Sequence, residues 1–176
     1  PQLANYTLAE LTEQFEALLP GFVDGEAKER NESLLVSLEF SLRRLGEATR
    51  RALPALAVFE GGGFESRILQ VIEMEPGAWQ TARAELEQAA LLTAETLPGT
   101  NTLFLRFHPT LLPYLADQLA PERRAALESR FWQVYYGLAD YLYKADIQTP
   151  HEARAMAWRE MPNLRRGFRL AMAAGA

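Results

Sequence analysis

The chain has 176 residues, 48% of them hydrophobic and 23% charged, enough for one domain or two small ones with a real core. It has no cysteine, which excludes disulfides and thiolate chemistry and points to the cytoplasm. The net charge of −5 is too acidic to announce nucleic-acid binding, and no apolar run approaches the ~20 residues of a membrane span.

The opening, Pro1-Gln2-Leu3-Ala4-Asn5, reads as the interior of a longer protein. Thr7 and Glu10 form a capping box ahead of Leu8, Leu11, Phe15, Leu18 and Leu19 at helical spacing, and Pro20-Gly21 stops that helix. Asn31 caps a second helix whose apolar face is Leu34, Leu35, Leu38, Leu42 and Leu45, with Gly46 as its end or a short break. A third helical segment over 47–59 contains Pro54, which starts a new turn. The triplet Gly61-Gly62-Gly63 predicts a loop. A short amphipathic helix then carries Ile68, Leu69, Val71 and Ile72. Pro76 opens another, with Trp79, Ala82, Leu86, Ala89, Ala90 and Leu92 inward.

Thr93-Ala94-Glu95 and 103–107 alternate around Leu97-Pro98-Gly99-Thr100-Asn101, the pattern of a β-hairpin. Helices followed by a hairpin give the order of a winged-helix domain. The stretch Leu103-Phe104-Leu105-Arg106-Phe107-His108-Pro109 runs from strand into helix and sets one of two histidines at the junction. Leading N–H groups of a helix attract anions, so His108 is a candidate phosphate contact as well as a simple helix cap. Pro121 starts a long helix whose wide apolar arc (Leu127, Phe131, Trp132, Tyr135, Tyr136, Leu138, Ala139, Leu142) requires cover on both flanks. The spacing of its aromatic residues is that of core packing, with Tyr141 alone off the stripe. Thr149-Pro150-His151-Glu152 predicts a second capping box and a helix to about Met161. Pro162-Asn163 would then introduce a last helix buried along Leu164, Phe168, Ala171 and Met172.

Charge is uneven: eight acidic and two basic residues over 1–40, against six acidic and nine basic over 120–176, a pattern compatible with internal docking. Several chemistries lack their residues. There is no GxxxxGK[ST] loop, no HExxH and no nucleophile elbow, and the two histidines stand 43 positions apart. Glu73/Glu75 and Glu85/Glu87 are two apart on helices and do not face each other. The segment is therefore expected to be non-catalytic, with no metal and no cofactor of its own. DNA readout is disfavoured: the reader helix sets Arg83 against Glu85 and Glu87, and the wing over 97–105 has no lysine or arginine.

Three motifs in order carry a family resemblance: Ser37-Leu38-Glu39-Phe40-Ser41-Leu42-Arg43-Arg44-Leu45, then Ala57-Val58-Phe59-Glu60-Gly61-Gly62-Gly63-Phe64, then Leu105-Arg106-Phe107-His108-Pro109. Segment 31–119 resembles the winged-helix module of signal-transduction ATPases with numerous domains (the NB-ARC-like, or STAND, family). Tyr135-Tyr136 and Glu160-Met161-Pro162-Asn163-Leu164-Arg165 resemble the helical connector that leads into tetratricopeptide-like repeats. The resemblance implies a mainly α fold: a three-helix winged-helix-like domain with a short β-hairpin (31–119), then an antiparallel helical connector (120–176). Residues 1–30 would be the helical end or lid of an upstream nucleotide-binding module. It implies a regulatory segment coupling the ATP/ADP state of an upstream P-loop domain to a downstream repeat sensor. Its partners would be those two domains and a protein ligand, with neither DNA nor membrane. In that family a histidine at the equivalent place contacts the β-phosphate of ADP, often within Met-His-Asp. Carried over, His108 would be that sensor, with Phe107 and Pro109 standing where Met and Asp do. The alternative is a winged-helix DNA-binding transcription regulator with a helical effector domain.

Overall fold

The computed structural model describes residues 36–97 and 102–175. The expected capping box at Thr7, the stop at Pro20-Gly21, the cap at Asn31 and the hairpin turn at 98–101 lie outside them. The molecule is mainly helical with one small antiparallel sheet. In chain order come α1 (residues 36–43), α2 (Glu47–Ala52) running into a 3-10 turn (Leu53–Val58), and β1 (Gly62–Phe64). Then follow α3 (Glu65–Ile72), α4 (Pro76–Gln88), β2 (Leu92–Thr96), β3 (Leu103–Phe107) and α5 (Leu111–Ala116). Two long helices, α6 (Pro121–Gln148) and α7 (Pro150–Ala174), finish the chain.

Local chemistry sets most of these boundaries. Gly46 makes the short break between α1 and α2, and its N–H donates to Glu85 Oε2 of α4 at 2.9 Å. Pro54 stands in the first turn of the 3-10 segment, where its missing N–H costs no intrahelical bond. Glu75 caps α4 by accepting from the Ala78 N–H, and Pro76 follows at the first helical position. The strand order is β1-β3-β2, with β3 central. Leu92 faces Phe107 and Thr96 faces Leu103 across the hairpin, so Leu92 opens β2 and does not belong to the inward face of α4, which ends at Gln88.

Gly62 and Gly63 are not in a loop; they form β1 with Phe64. Gly62 pairs with Arg106 at φ 158°, and a Cβ there would lie 2.2 Å from the Leu105 carbonyl oxygen. Glycine is thus what lets this strand approach β3 so closely. A three-residue strand of this kind has no alternating side chains and leaves no hydrophobic signature.

One continuous hydrophobic cluster runs from Leu38 to Ala153, so α6 and the start of α7 share a core with the sheet and the preceding helices. Within it Phe59 meets Phe131 edge-on and Phe131 stacks on Tyr135. The aromatic run of α6 divides: Phe131 and Tyr135 are core, Trp132 is half-buried, and Tyr136 and Tyr143 are exposed along with Tyr141.

α7 departs from expectation in three ways. It is a single helix with Pro162 inside it. Proline deletes the bond to the Trp158 carbonyl, but Trp158 and Pro162 lie on the exposed outer face, while Glu160 and Asn163 are anchored on the inner face. Its buried positions are Ala153, Glu160, Asn163 and Gly167, whereas Phe168 and Met172 face outward. Finally, Thr149 makes no side-chain cap; its hydroxyl donates back to the Ala145 carbonyl at 3.4 Å.

Candidate functional site

The junction at His108 is built from backbone outward. Its N–H donates to the Leu91 carbonyl (2.9 Å), fastening the end of β3 beside the start of β2. Its own carbonyl accepts the Leu111 N–H (2.9 Å), which opens α5. The ring is exposed, with Nδ1 2.8 Å from the Thr110 hydroxyl and 3.4 Å from the Thr110 N–H. Both Thr110 groups point donors at Nδ1, which therefore accepts and leaves the ring proton on Nε2. The N-cap of α5 is Thr110, and no side chain caps the helix. α5 is only six residues long, and its Leu111 and Tyr114 N–H groups are engaged by the His108 and Thr110 carbonyls. Arg106 points away from the buried Phe107 and pairs with Glu95 at 3.3 Å. Glu95 also receives Arg159 of α7 at 2.8 Å, and the Arg106 bond foremost holds its carboxyl below the ordinary range.

A second constellation has no counterpart in the sequence reading. Glu160 and Asn163, three apart on the inner face of α7, are both buried. Glu160 Oε1 accepts the Phe64 N–H at 2.6 Å, and Oε2 accepts the Tyr135 hydroxyl (3.0 Å) and Asn163 Nδ2 (2.7 Å). Asn163 Nδ2 also donates to the Gly62 carbonyl (2.7 Å), and its Oδ1 accepts the Glu60 N–H (2.8 Å). Gly62 and Phe64 alternate with the groups that bond β3, so their free N–H and C=O point off the sheet edge. The two side chains thus stand in for a fourth strand, closing an edge that would otherwise lie unpaired.

Gly63 makes room for this. A Cβ there would sit 3.3 Å from the Tyr135 hydroxyl and 3.5 Å from Glu160 Oε1. Burial pushes the Glu160 carboxyl up, against the lowering effect of the Phe64, Asn163 and Tyr135 hydrogen bonds. Burial, and then the neighbouring Glu160 charge, hold the Tyr135 phenol well above its usual value. Arg166 reinforces the junction by bridging Glu60 (3.1 Å) and Glu128 (3.0 Å) beneath the Phe131 ring.

The lock joins two of the segments that carry the family resemblance, Ala57 to Phe64 and Glu160 to Arg165. Their shared chemistry was hidden because hydrophobic periodicity searches for apolar inner faces. A polar pair three apart, opposite an apolar stripe, is the signal that would have found it.

On α4 the single cation, Arg83, lies between Glu65 (3.0 Å) and Glu87 (2.8 Å), with Glu87 the main cause of its raised pKa. Glu65 also accepts the Trp79 indole N–H at 2.8 Å. This helix turns carboxylates and a neutralised guanidinium outward, which is poor chemistry for phosphates. Among the described residues no cluster of His, Cys, Asp and Glu could hold a metal ion, and no helix is long and apolar enough to cross a membrane. No family model, no curated protein and no solved structure matches the chain.

Proposed function

We propose that this chain is a non-catalytic regulatory segment of a signalling ATPase, coupling the nucleotide state of an upstream P-loop domain to a downstream repeat sensor. Residues 36–119 are read as a winged-helix module. The element order helix–β1–helix–helix–β2–β3 and the strand order β1-β3-β2 support that reading. α6 and α7 are read as the helical connector toward tetratricopeptide-like repeats. The observation that carries the proposal is the polar lock. Three hydrogen bonds, from the Glu60 and Phe64 N–H groups to Asn163 and Glu160 and from Asn163 to the Gly62 carbonyl, join connector and sheet, and Tyr135 and Asn163 each brace Glu160 with one more. A displacement felt at the module would be delivered to the far end of α7 without loss.

In this reading His108 supplies one contact to a nucleotide held elsewhere. The Thr110 bonds orient the ring and leave Nε2–H as the donor for a β-phosphate oxygen. Exchange of ADP for ATP breaks that contact, and the module moves with its connector in a population shift.

The test is ADP affinity and basal output of the full-length protein with His108→Ala. A hydrogen bond to a charged group is worth about 1.5–3 kcal/mol, so ADP should bind roughly 10- to 100-fold more weakly while basal output rises. Unchanged affinity together with unchanged output would sink the sensor assignment.

A further inference from the structure

The outer face of α7 carries large apolar residues in a regular row. Trp158 is 79% exposed, Met161 41%, Phe168 68% and Met172 62%. With Arg165 they follow one another at intervals of three, four, three and four, the spacing of a seam that receives a second helix. Shallow hollows flank the row. One of about 480 Å³ lies between Glu60, Trp158, Met161, Pro162, Arg165 and Arg169. Another of about 340 Å³ lies between Leu164, Arg165, Phe168 and Arg169. A contiguous exposed apolar row of this kind marks an interaction surface.

Charge selects the occupant. From Met161 to Gly175 α7 holds Arg165, Arg166 and Arg169 and no acidic residue. Arg166 is spent on Glu60 and Glu128, and Glu60, the carboxylate in the larger hollow, is shared with Arg169 at 3.9 Å. Arg165 has no ion-pair partner among the described residues and sits mid-row, between Met161 and Phe168. A second copy laid on the same face would set arginines against arginines. An acyl layer offers no acceptor at the centre of the row, where the Arg165 guanidinium would be buried.

We propose that this face docks an acidic amphipathic helix of another protein, whose leucine-type row meets Trp158, Met161, Phe168 and Met172 while a carboxylate pairs with Arg165.

The probes are two labelled three-heptad peptides with leucine at the seam positions, identical except for glutamate or lysine at the flanking positions. Each is titrated with the full chain and followed by fluorescence anisotropy. The glutamate peptide should bind at least about tenfold tighter than the lysine peptide, and added salt should shrink that margin. Phe168→Glu should weaken it about tenfold or more, and Arg165→Glu should reverse the order of the two peptides. Both positions are exposed, so thermal melts of the variants should overlay the parent. Equal binding of the two peptides, or an order unmoved by Arg165→Glu, overturns the proposal. So does parent protein that sediments as a dimer dissociated by Phe168→Glu. Capture by phosphatidylserine vesicles or single-stranded RNA, abolished by the same substitution while neither peptide binds, overturns it as well.

Discussion

α6 and α7 are neighbours of similar length, yet they are built on opposite plans. α6 buries Leu127, Phe131, Tyr135, Leu138 and Leu142. α7 buries Glu160, Asn163, Gly167 and Ala153 and turns Trp158, Phe168 and Met172 to solvent. Burial of carbon is strong but non-directional, and it tolerates small shifts of register. Hydrogen bonds in a dry interior add little net stability when made, cost much when broken, and permit only one geometry. The contrast assigns the helices different tasks. α6 supplies cohesion to the core, and α7 supplies an exact seat on β1.

The largest effect should follow removal of the carboxylate. Glu160→Ala leaves the Phe64 N–H, the Tyr135 hydroxyl and part of Asn163 without their acceptor. Each such loss costs about 1–3 kcal/mol, so the sum should reach at least about 3 kcal/mol in urea unfolding. Leu138→Ala should cost a comparable amount, about 2–5 kcal/mol. The two differ in where the cost appears. Hydrogen exchange should show the alanine at 160 loosening residues 150–174 selectively, while Leu138→Ala lowers protection throughout the shared core. Uniform loss in both would erase the distinction between the helices.

Glu160→Gln adds a pH signature. The native carboxyl titrates above its unfolded value, so the folded state holds the proton more tightly. Its stabilising contribution is complete below the unfolded carboxylate range, near ~4.3, and is lost as pH rises through the folded value. The parent should therefore lose stability relative to the glutamine variant across that window. Parallel curves would show that burial does not raise the Glu160 carboxyl above its unfolded value.

Much of the frame was legible from residue pattern alone. The hairpin followed from alternation at 93–95 and 103–107, α4 from Pro76 with its inward Trp79 and Leu86, and the His108 junction from the strand-to-helix change at Pro109. What failed, failed for three physical reasons. β1 is made by glycines whose role is absence of a side chain, so no periodicity announces it. Pro162 reads as a helix break, but its lost bond falls on the solvent side and tight anchors hold the helix through it. The inner face of α7 was misassigned because hydrophobic residues need not be inside, and here a polar pair holds the buried position. The role of Glu160 and Asn163 therefore needed the fold, which alone brings residues about a hundred positions apart into contact.

Two glycines sharpen the comparison at smaller scale. On α6, Gly137 faces open space, while on α7 a Cβ at Gly167 would lie 2.9 Å from Tyr135 Cβ. Alanine is the better helix former by about 1 kcal/mol at either place. Gly137→Ala should therefore raise stability by about that amount. Gly167→Ala should lower it by about 1–2 kcal/mol, because the helices must separate and stretch the Tyr135–Glu160 bond. Thermal denaturation of the pair decides this, since two shifts of the same sign would mean that the α6–α7 crossing is not held close by Gly167.

The smallest effect should come from the outward row. Phe168 is a large aromatic residue on a helix that ends the shared core, and removing such a ring from a packed interior would cost about 3–5 kcal/mol. Here it is 68% exposed, and its neighbours in the hollow are Leu164, Arg165 and Arg169 of the same helix. Phe168→Gln keeps good helix propensity and deletes surface that water already reaches. The midpoint of unfolding should then stay within about 0.5 kcal/mol of the parent while the protein becomes more soluble. A fall comparable to that of Leu138→Ala would show that the outer face of α7 is covered within the chain. The row would then belong to the core, and α7 would bury carbon on its outer face as α6 does on its inner one.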